Sequence, residues 1–291
     1  MLTDKEKKSK YKNKYKLEMK KREKAEIQMK ELEIENEYLL AKINIHSNSH
    51  NKGEQNEVLL IIELLYLNKT KQYSKLINIF GDQANEGITI LNMNTKQPIN
   101  SYSEITKSKS QNKADCIIKI NSNNIIYKPS IKSIKNAKPS ILNHTPRKTF
   151  INNQKLNPYV NSLDILLKEY IEKRTNNIIS DDVNINKLSC INNIKDDIIK
   201  VLSYFIFNGT GVKESNISAD SILIFSKDNI HFVDCTTDDK KIIYVKSIFN
   251  NCILSIRDKC TPINICELNK PWTITKDNKN KGSLHIRLDY N

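Results

Sequence analysis

A chain of 291 residues with 38% hydrophobic side chains holds enough apolar material for one large domain, or for a domain of about 200–250 residues plus an appendage. Its formal charge of +14 points to an acidic partner such as nucleic acid, although Lys, Asn and Ile are also the residues that AT-rich coding favours, and there are only five arginines. No run reaches the roughly 18 apolar residues of a membrane span, Met1 to Lys5 opens no signal-peptide core, and six cysteines without a C-x-x-C pair speak against structural zinc. A soluble, intracellular protein with free thiols, in cytoplasm or nucleus, is therefore expected.

Residues 1–45 read as one charged helix without Gly or Pro, with eleven Lys/Arg against three acids over positions 5–24. Ala25, Met29, Leu32, Asn36, Leu39 and Ile43 follow alternating spacings of four and three. That is either a solvated helix with a weak stripe or a short coiled coil in which Asn36 at an a position fixes register and a two-stranded state. Residues 46–57 read as a polar linker, and 58–291 as the main domain. Val58 to Leu67 predicts a buried helix carrying one acid, Glu63. Gly87 to Met93 alternates like a strand, and Ser133 to Gln154 reads as a polar segment. Amphipathic helices are expected over 163–171 and 194–207. Short strands are expected at 221–225, 230–233, 242–245, 252–256 and 284–288. The order of elements predicts an α/β or α+β fold, a mixed sheet flanked by helices.

The most informative stretch is Lys113-Ala114-Asp115-Cys116-Ile117-Ile118-Lys119-Ile120, followed by Ile125-Ile126-Tyr127-Lys128-Pro129-Ser130-Ile131-Lys132-Ser133. Two β-rich runs flank the polar turn Asn121 to Asn124. Paired as a hairpin, they bring Asp115 and Lys132 to the end away from the turn. A carboxylate there can hold a hard divalent cation, and an ammonium can orient a water or offset charge developing on a phosphate.

This pattern resembles the PD-(D/E)xK nuclease superfamily, the fold of many type II restriction endonucleases. The resemblance covers mainly residues 113–133. It implies a restriction-endonuclease-like core, Mg²⁺ as cofactor, Asp115 as the metal-binding acid and Lys132 as the catalytic lysine. Ala114 stands where the family has proline. Ser130 stands where it has the second carboxylate, and family members with an S-x-K triplet draw the missing acid from elsewhere, often a neighbouring helix. Glu63 is the first candidate for that metal-binding and catalytic role, followed by Glu104 and the Glu169/Glu172 pair. Pro129 lies inside the presumed strand, where proline is normally confined to an edge or a bulge.

Beyond the motif, Lys135, Asn143, His144, Arg147 and Lys148 form a polar, basic group able to contact phosphates or base edges. His285 and Arg287 share one face of an alternating C-terminal strand that could lie along DNA or simply form a half-exposed terminal strand. The expected function is a Mg²⁺-dependent, site-specific endonuclease acting on double-stranded DNA as a homodimer. Two alternatives stay open: a non-catalytic DNA-binding protein with a degenerate nuclease fold, and a structural or interaction protein of an AT-rich virus or parasite.

Overall fold

The structure is a computed structural model describing residues 4–47, 52–109, 111–134, 138–211, 213–226, 229–258, 266–276 and 279–289. Helix α1 spans Asp4–Ser47 and α2 spans Lys52–Lys69. The expected linker is therefore already helical from Lys52, because Gly53-Glu54-Gln55-Asn56-Glu57 supplies a polar first turn and a half to a helix whose apolar face begins at Leu59. Helix α3 (Tyr73–Phe80) follows, then strand β1 (Ile88–Leu91). Gly87 leads into β1 with φ +79, and a Cβ there would lie 2.5 Å from Asn68 Oδ1 and 2.9 Å from the Tyr73 ring. The same Asn68 Oδ1 accepts the N–H of Ile88 at 2.9 Å, so α2 fixes the start of the strand.

The expected hairpin is present. Strand β2 (Ile117–Ile120) pairs antiparallel with β1 on one side and with β3 (Ile126–Tyr127) on the other. Only Lys128 separates β3 from β4 (Pro129–Ser133), and there the chain changes partners. The Lys128 N–H donates to Asp220 Oδ1 at 2.6 Å, and Lys128 O accepts the N–H of Asp220. From Pro129 onward β4 runs parallel to β7, introduced below. Pro129 thus opens an edge strand, a position where its missing N–H costs no ladder bond.

Residues 138–154, expected as a polar segment, instead form β5 (Ser140–Pro146) and the short helix α4 (Arg147–Asn152). The alternation that would have revealed β5 is broken by register irregularities and by His144 at φ +45. Helix α5 (Val160–Thr175), strand β6 (Val183–Asn184) and helix α6 (Ile191–Ser203) come next, the last continuing into a π-helical turn over Tyr204–Asn208. Strand β7 (Ser221–Phe225) joins β4 to β8 (Ile230–Asp234) in a three-stranded sheet ordered β4-β7-β8.

The segment expected as a strand at 242–245 is helix α7 (Asp238–Phe249). Ile242, Ile243 and Val245 favour strands intrinsically, but capping and burial overrule them. Thr237 Oγ1 accepts from the Lys240 N–H, Asp238 and Asp239 occupy the first turn, and Tyr244, Val245, Ile248 and Phe249 bury one helical face. Strand β9 (Cys252–Arg257), the ribbon β10 (Ile274–Lys276) and β11 (Lys279–Lys281), and β12 (Ser283–Leu288) complete the chain. A four-stranded sheet is ordered β5-β12-β9-β6.

The fold is α+β, with mixed sheets flanked by helices. Strand β7 stands between its two main cores. Leu223 and Phe225 join Leu60, Leu64, Ile118 and Ile131 in one core, while Ile222 joins Leu163, Ile198, Phe249 and Leu284 in the other. Period-two alternation along one strand thereby couples the two halves. Among the described residues no helix is long and apolar enough to cross a membrane.

Candidate active site

Asp115 sits immediately before β2, held from both sides. Its backbone N–H donates to Pro129 O at 2.9 Å, and its Oδ2 accepts the Ile131 N–H at 2.6 Å. Upstream, the Lys113 N–H donates to Ile217 O and to Ser215 Oγ, and Ser108 Oγ donates to Ala114 O. Ala114, fully buried with Met93 and Ile117, pins the approach to the acid. Ser130 and Lys132 share one face of β4, and Ile131 points oppositely into the core. Ser130 is 2% exposed, whereas Lys132 and Asp115 are half-buried. The hairpin thus brings Asp115, Ser130 and Lys132 together at one end, as expected.

The acid whose charge reaches them is Glu57, in the first turns of α2, a helix that packs on β4. This half-buried residue feels the negative charge of Asp115 and the positive charges of Lys132 and Lys107. Burial first, and then the Asp115 carboxylate, pushes Glu57 up to about 8. Burial also raises Asp115, opposed by Lys132 and by the hydrogen bond from Ile131. A carboxyl group whose proton affinity is raised by burial and by a neighbouring carboxylate favours an added positive charge beside it. Around them stand Lys113, pushed down to about 8 by burial and by the charge of Lys132, and Lys107, ion-paired with Glu54.

Glu63 does not reach this site, which corrects the expectation. Six residues on from Glu57, it is rotated by about 240° around the helix. There it accepts from Tyr38 Oη at 2.6 Å and lies 3.7 Å from Lys42 Nζ, tying α2 to α1. Of the other candidates, Glu172 is exposed on α5, and Glu104 and Glu169 are engaged elsewhere. Glu104 accepts the Asn100 N–H, and Glu169 accepts from the backbone of Ser189 and Cys190 while pairing with Lys173. Glu57 lies in the polar stretch 46–57, whose composition is that of a linker, which masks its place on a buried helix. Its signal was an acid one turn before the buried Leu60 and Ile61, on the face that turns inward.

The donor set fits Mg²⁺, a hard cation that takes one or two carboxylates and completes its octahedron with water and phosphate oxygens. Glu57 and Asp115 are the residues that would hold it. Among the described residues no three His, Cys, Asp or Glu side chains converge.

Three of the residues expected to contact DNA, Arg147, His285 and Arg287, are engaged in ion pairs or in packing elsewhere in the fold. Arg147 is a structural clamp: Nε and Nη2 donate to Asp164 at 2.7 and 2.5 Å, and Nη1 donates to Leu268 O at 3.0 Å. Its guanidinium is therefore not available as a base reader. Neither does β12 form an edge. It is an inner strand of its sheet with buried side chains on both faces, so His285 is a core residue and no DNA-facing group. Arg287 pairs with Asp182 at 2.7 Å, and Arg257 shares the same carboxylate at 2.8 Å. His144, half-buried on β5, lies with its ring centroid 4.8 Å from that of His285. Asn143 is exposed and Lys148 half-buried, and Lys135 lies outside the described residues.

His285 gives a pH signature independent of the candidate site. Burial, then the neighbouring His144, Arg287 and Arg257, hold its imidazole down at about 4, with Asp182 opposing. A histidine depressed from its ordinary value of about 6.5 contributes stability that is complete above that value and is lost as pH falls towards 4. The full contribution is about 3 kcal/mol. Thermal melts from pH 7.5 to 4 are expected to show a steep acid limb that flattens in His285→Gln. An unchanged limb in that variant would place the acid sensitivity elsewhere.

Comparison of the chain with protein-family models, with curated proteins and with solved structures found no match.

Proposed function

We propose that the chain is a divalent-metal-dependent nuclease that hydrolyses phosphodiester bonds of double-stranded DNA, with the PD-(D/E)xK arrangement as its template. The observation that carries this reading is Glu57. The S-x-K triplet lacks its own acid, and α2, which packs on β4, carries an acid that feels the charges of Asp115 and Lys132. The course of the chain agrees: an acid before β2, a turn, and a lysine near the end of the strand that leaves the hairpin for a parallel partner.

In this reading Glu57 and Asp115 bind the cation. When bound, Mg²⁺ supplies charge stabilisation at the scissile phosphate and lowers the pKa of a coordinated water. Lys132 donates hydrogen bonds to the attacking water or to a phosphate oxygen, offsetting charge as it develops. Ser130 provides a small neutral group on the same strand face, and Lys113 and Lys107 hold positive charge at the phosphate entrance. The net charge of +14 and the basic first half of α1 favour a polyanionic substrate and a salt-dependent affinity.

The test is incubation of supercoiled and linear mixed-sequence DNA with the protein and Mg²⁺. Discrete cleavage is expected from the wild type and is expected to disappear in Asp115→Ala and Lys132→Ala. Retardation of DNA without cleavage in Mg²⁺ or Mn²⁺ would leave a non-catalytic binding protein.

A further inference from the structure

Helix α1 carries two apolar stripes on opposite faces, and its own domain uses one of them. Ile34, Tyr38, Ala41 and Ile45, spaced four, three and four, are half-buried, and the last three pack on the core beside α2. Tyr38 stacks on Tyr66 with centroids 4.1 Å apart. The second stripe is Ala25, Met29, Leu32, Asn36, Leu39 and Ile43. With Asn36 and Ile43 at a and Leu32 and Leu39 at d, the docked residues fall at c and f, roughly 160° around the helix at 100° per residue. The domain therefore cannot cover the second stripe while it holds the first. Met29, Leu32, Leu39 and Ile43 remain 62, 59, 48 and 63% exposed, and every residue from 11 to 33 is exposed. At 1.5 Å per residue the 44-residue helix is about 66 Å long, most of it projecting beyond the domain.

We propose that this face pairs with the same face of a second copy, forming a parallel two-stranded coiled coil over residues 25–43. Two features select a second copy in parallel register. In that register Asn36 meets Asn36 of its partner, so each buried amide has a hydrogen-bonding mate. An antiparallel overlap of the same stripe sets Asn36 opposite Leu32 and leaves the amide unsatisfied. The flanking e and g positions agree. Parallel pairing puts Lys21 opposite Glu26 of the other chain, whereas antiparallel pairing aligns e with e and g with g, rows rich in Glu26, Glu33 and Glu35. The pairing is independent of whether the chain cuts DNA.

Sedimentation equilibrium of the full chain tests it. The wild type is expected to approach twice 33.7 kDa at micromolar concentrations. The double variant Leu32→Lys/Leu39→Lys is expected to raise the dissociation constant at least about 100-fold, and Asn36→Val, which removes the buried amide, to lower it about tenfold. Both sites are exposed in the single chain, so at concentrations where wild type and variant are both monomeric the melting temperature of the domain should not move. Under mild oxidation Leu39→Cys is expected to give a covalent dimer that Glu37→Cys, on the outer face, does not. A wild type that stays monomeric at about 100 μM, at the weak end of specific association, overturns the proposal. So does a dimer whose dissociation constant neither the lysine pair nor Asn36→Val changes.

Discussion

Glu57→Gln is expected to abolish Mg²⁺-dependent cleavage, lowering the rate by on the order of 10³-fold or more, while Glu63→Gln leaves it within about a factor of two. The contrast is demanding, because both glutamates lie on α2 and differ only in the face they occupy. Glu57 feels the charges of Asp115 and Lys132, and a neutral amide there removes one of the two anionic oxygen donors with little change in side-chain volume. Glu63 is bonded to Tyr38 and sits beside Lys42, so its substitution loosens the seat of α1 and leaves the chemistry alone. Single-turnover cleavage at saturating protein separates the two effects, because it removes any difference in DNA affinity. Equal loss of rate in both variants would mean that α2 matters as scaffold, and Glu57 would lose its assigned role.

Asp164→Ala is expected to cost about 3 kcal/mol of stability. Asp164 accepts two hydrogen bonds from Arg147 and a third from Trp272 Nε1 at 2.7 Å. The arginine side chain is 17% exposed and Trp272 is fully buried, so truncation strands a guanidinium and an indole N–H away from water. Arg147 is also anchored through its own N–H to Asn269 Oδ1 at 2.6 Å, so the same clamp holds α4 to the 267–272 turn. Asp164→Asn, which keeps an acceptor oxygen, should lose less. Denaturant unfolding measures both. A loss below about 0.5 kcal/mol for Asp164→Ala would class the cluster with ordinary surface ion pairs.

Sequence reasoning reached the hairpin because its signals are local. Two β-branched runs, a four-residue polar turn and an acid and lysine at matching ends require no knowledge of the rest of the chain. The failures share one cause, which is that tertiary context decided the outcome. Glu57 lies in a stretch whose composition reads as linker, and only the burial of Leu59 and Leu60 behind it makes those turns helical. The run at 242–245 has strand propensity, but Thr237 and two aspartates start a helix there whose inner face one core then buries. Arg147 and Arg287 looked like nucleic-acid readers because arginines are few in this chain. Their partners, Asp164 and Asp182, lie 17 and 105 positions away in sequence. Strand β12 alternated as a half-exposed strand would, yet β5 and β9 flank it on both sides. No local pattern announces a partner on each edge.

In the proposed site Glu57 and Asp115 together hold a divalent cation beside Lys132. The most direct measurement is Mn²⁺ binding to metal-free protein, followed by electron paramagnetic resonance or calorimetry, in the wild type, Glu57→Gln, Asp115→Asn and Glu63→Gln. One site per chain is predicted for the wild type and for Glu63→Gln, with affinity reduced at least about tenfold in each of the other two. Undiminished binding in both Glu57→Gln and Asp115→Asn would place the cation away from these two carboxylates.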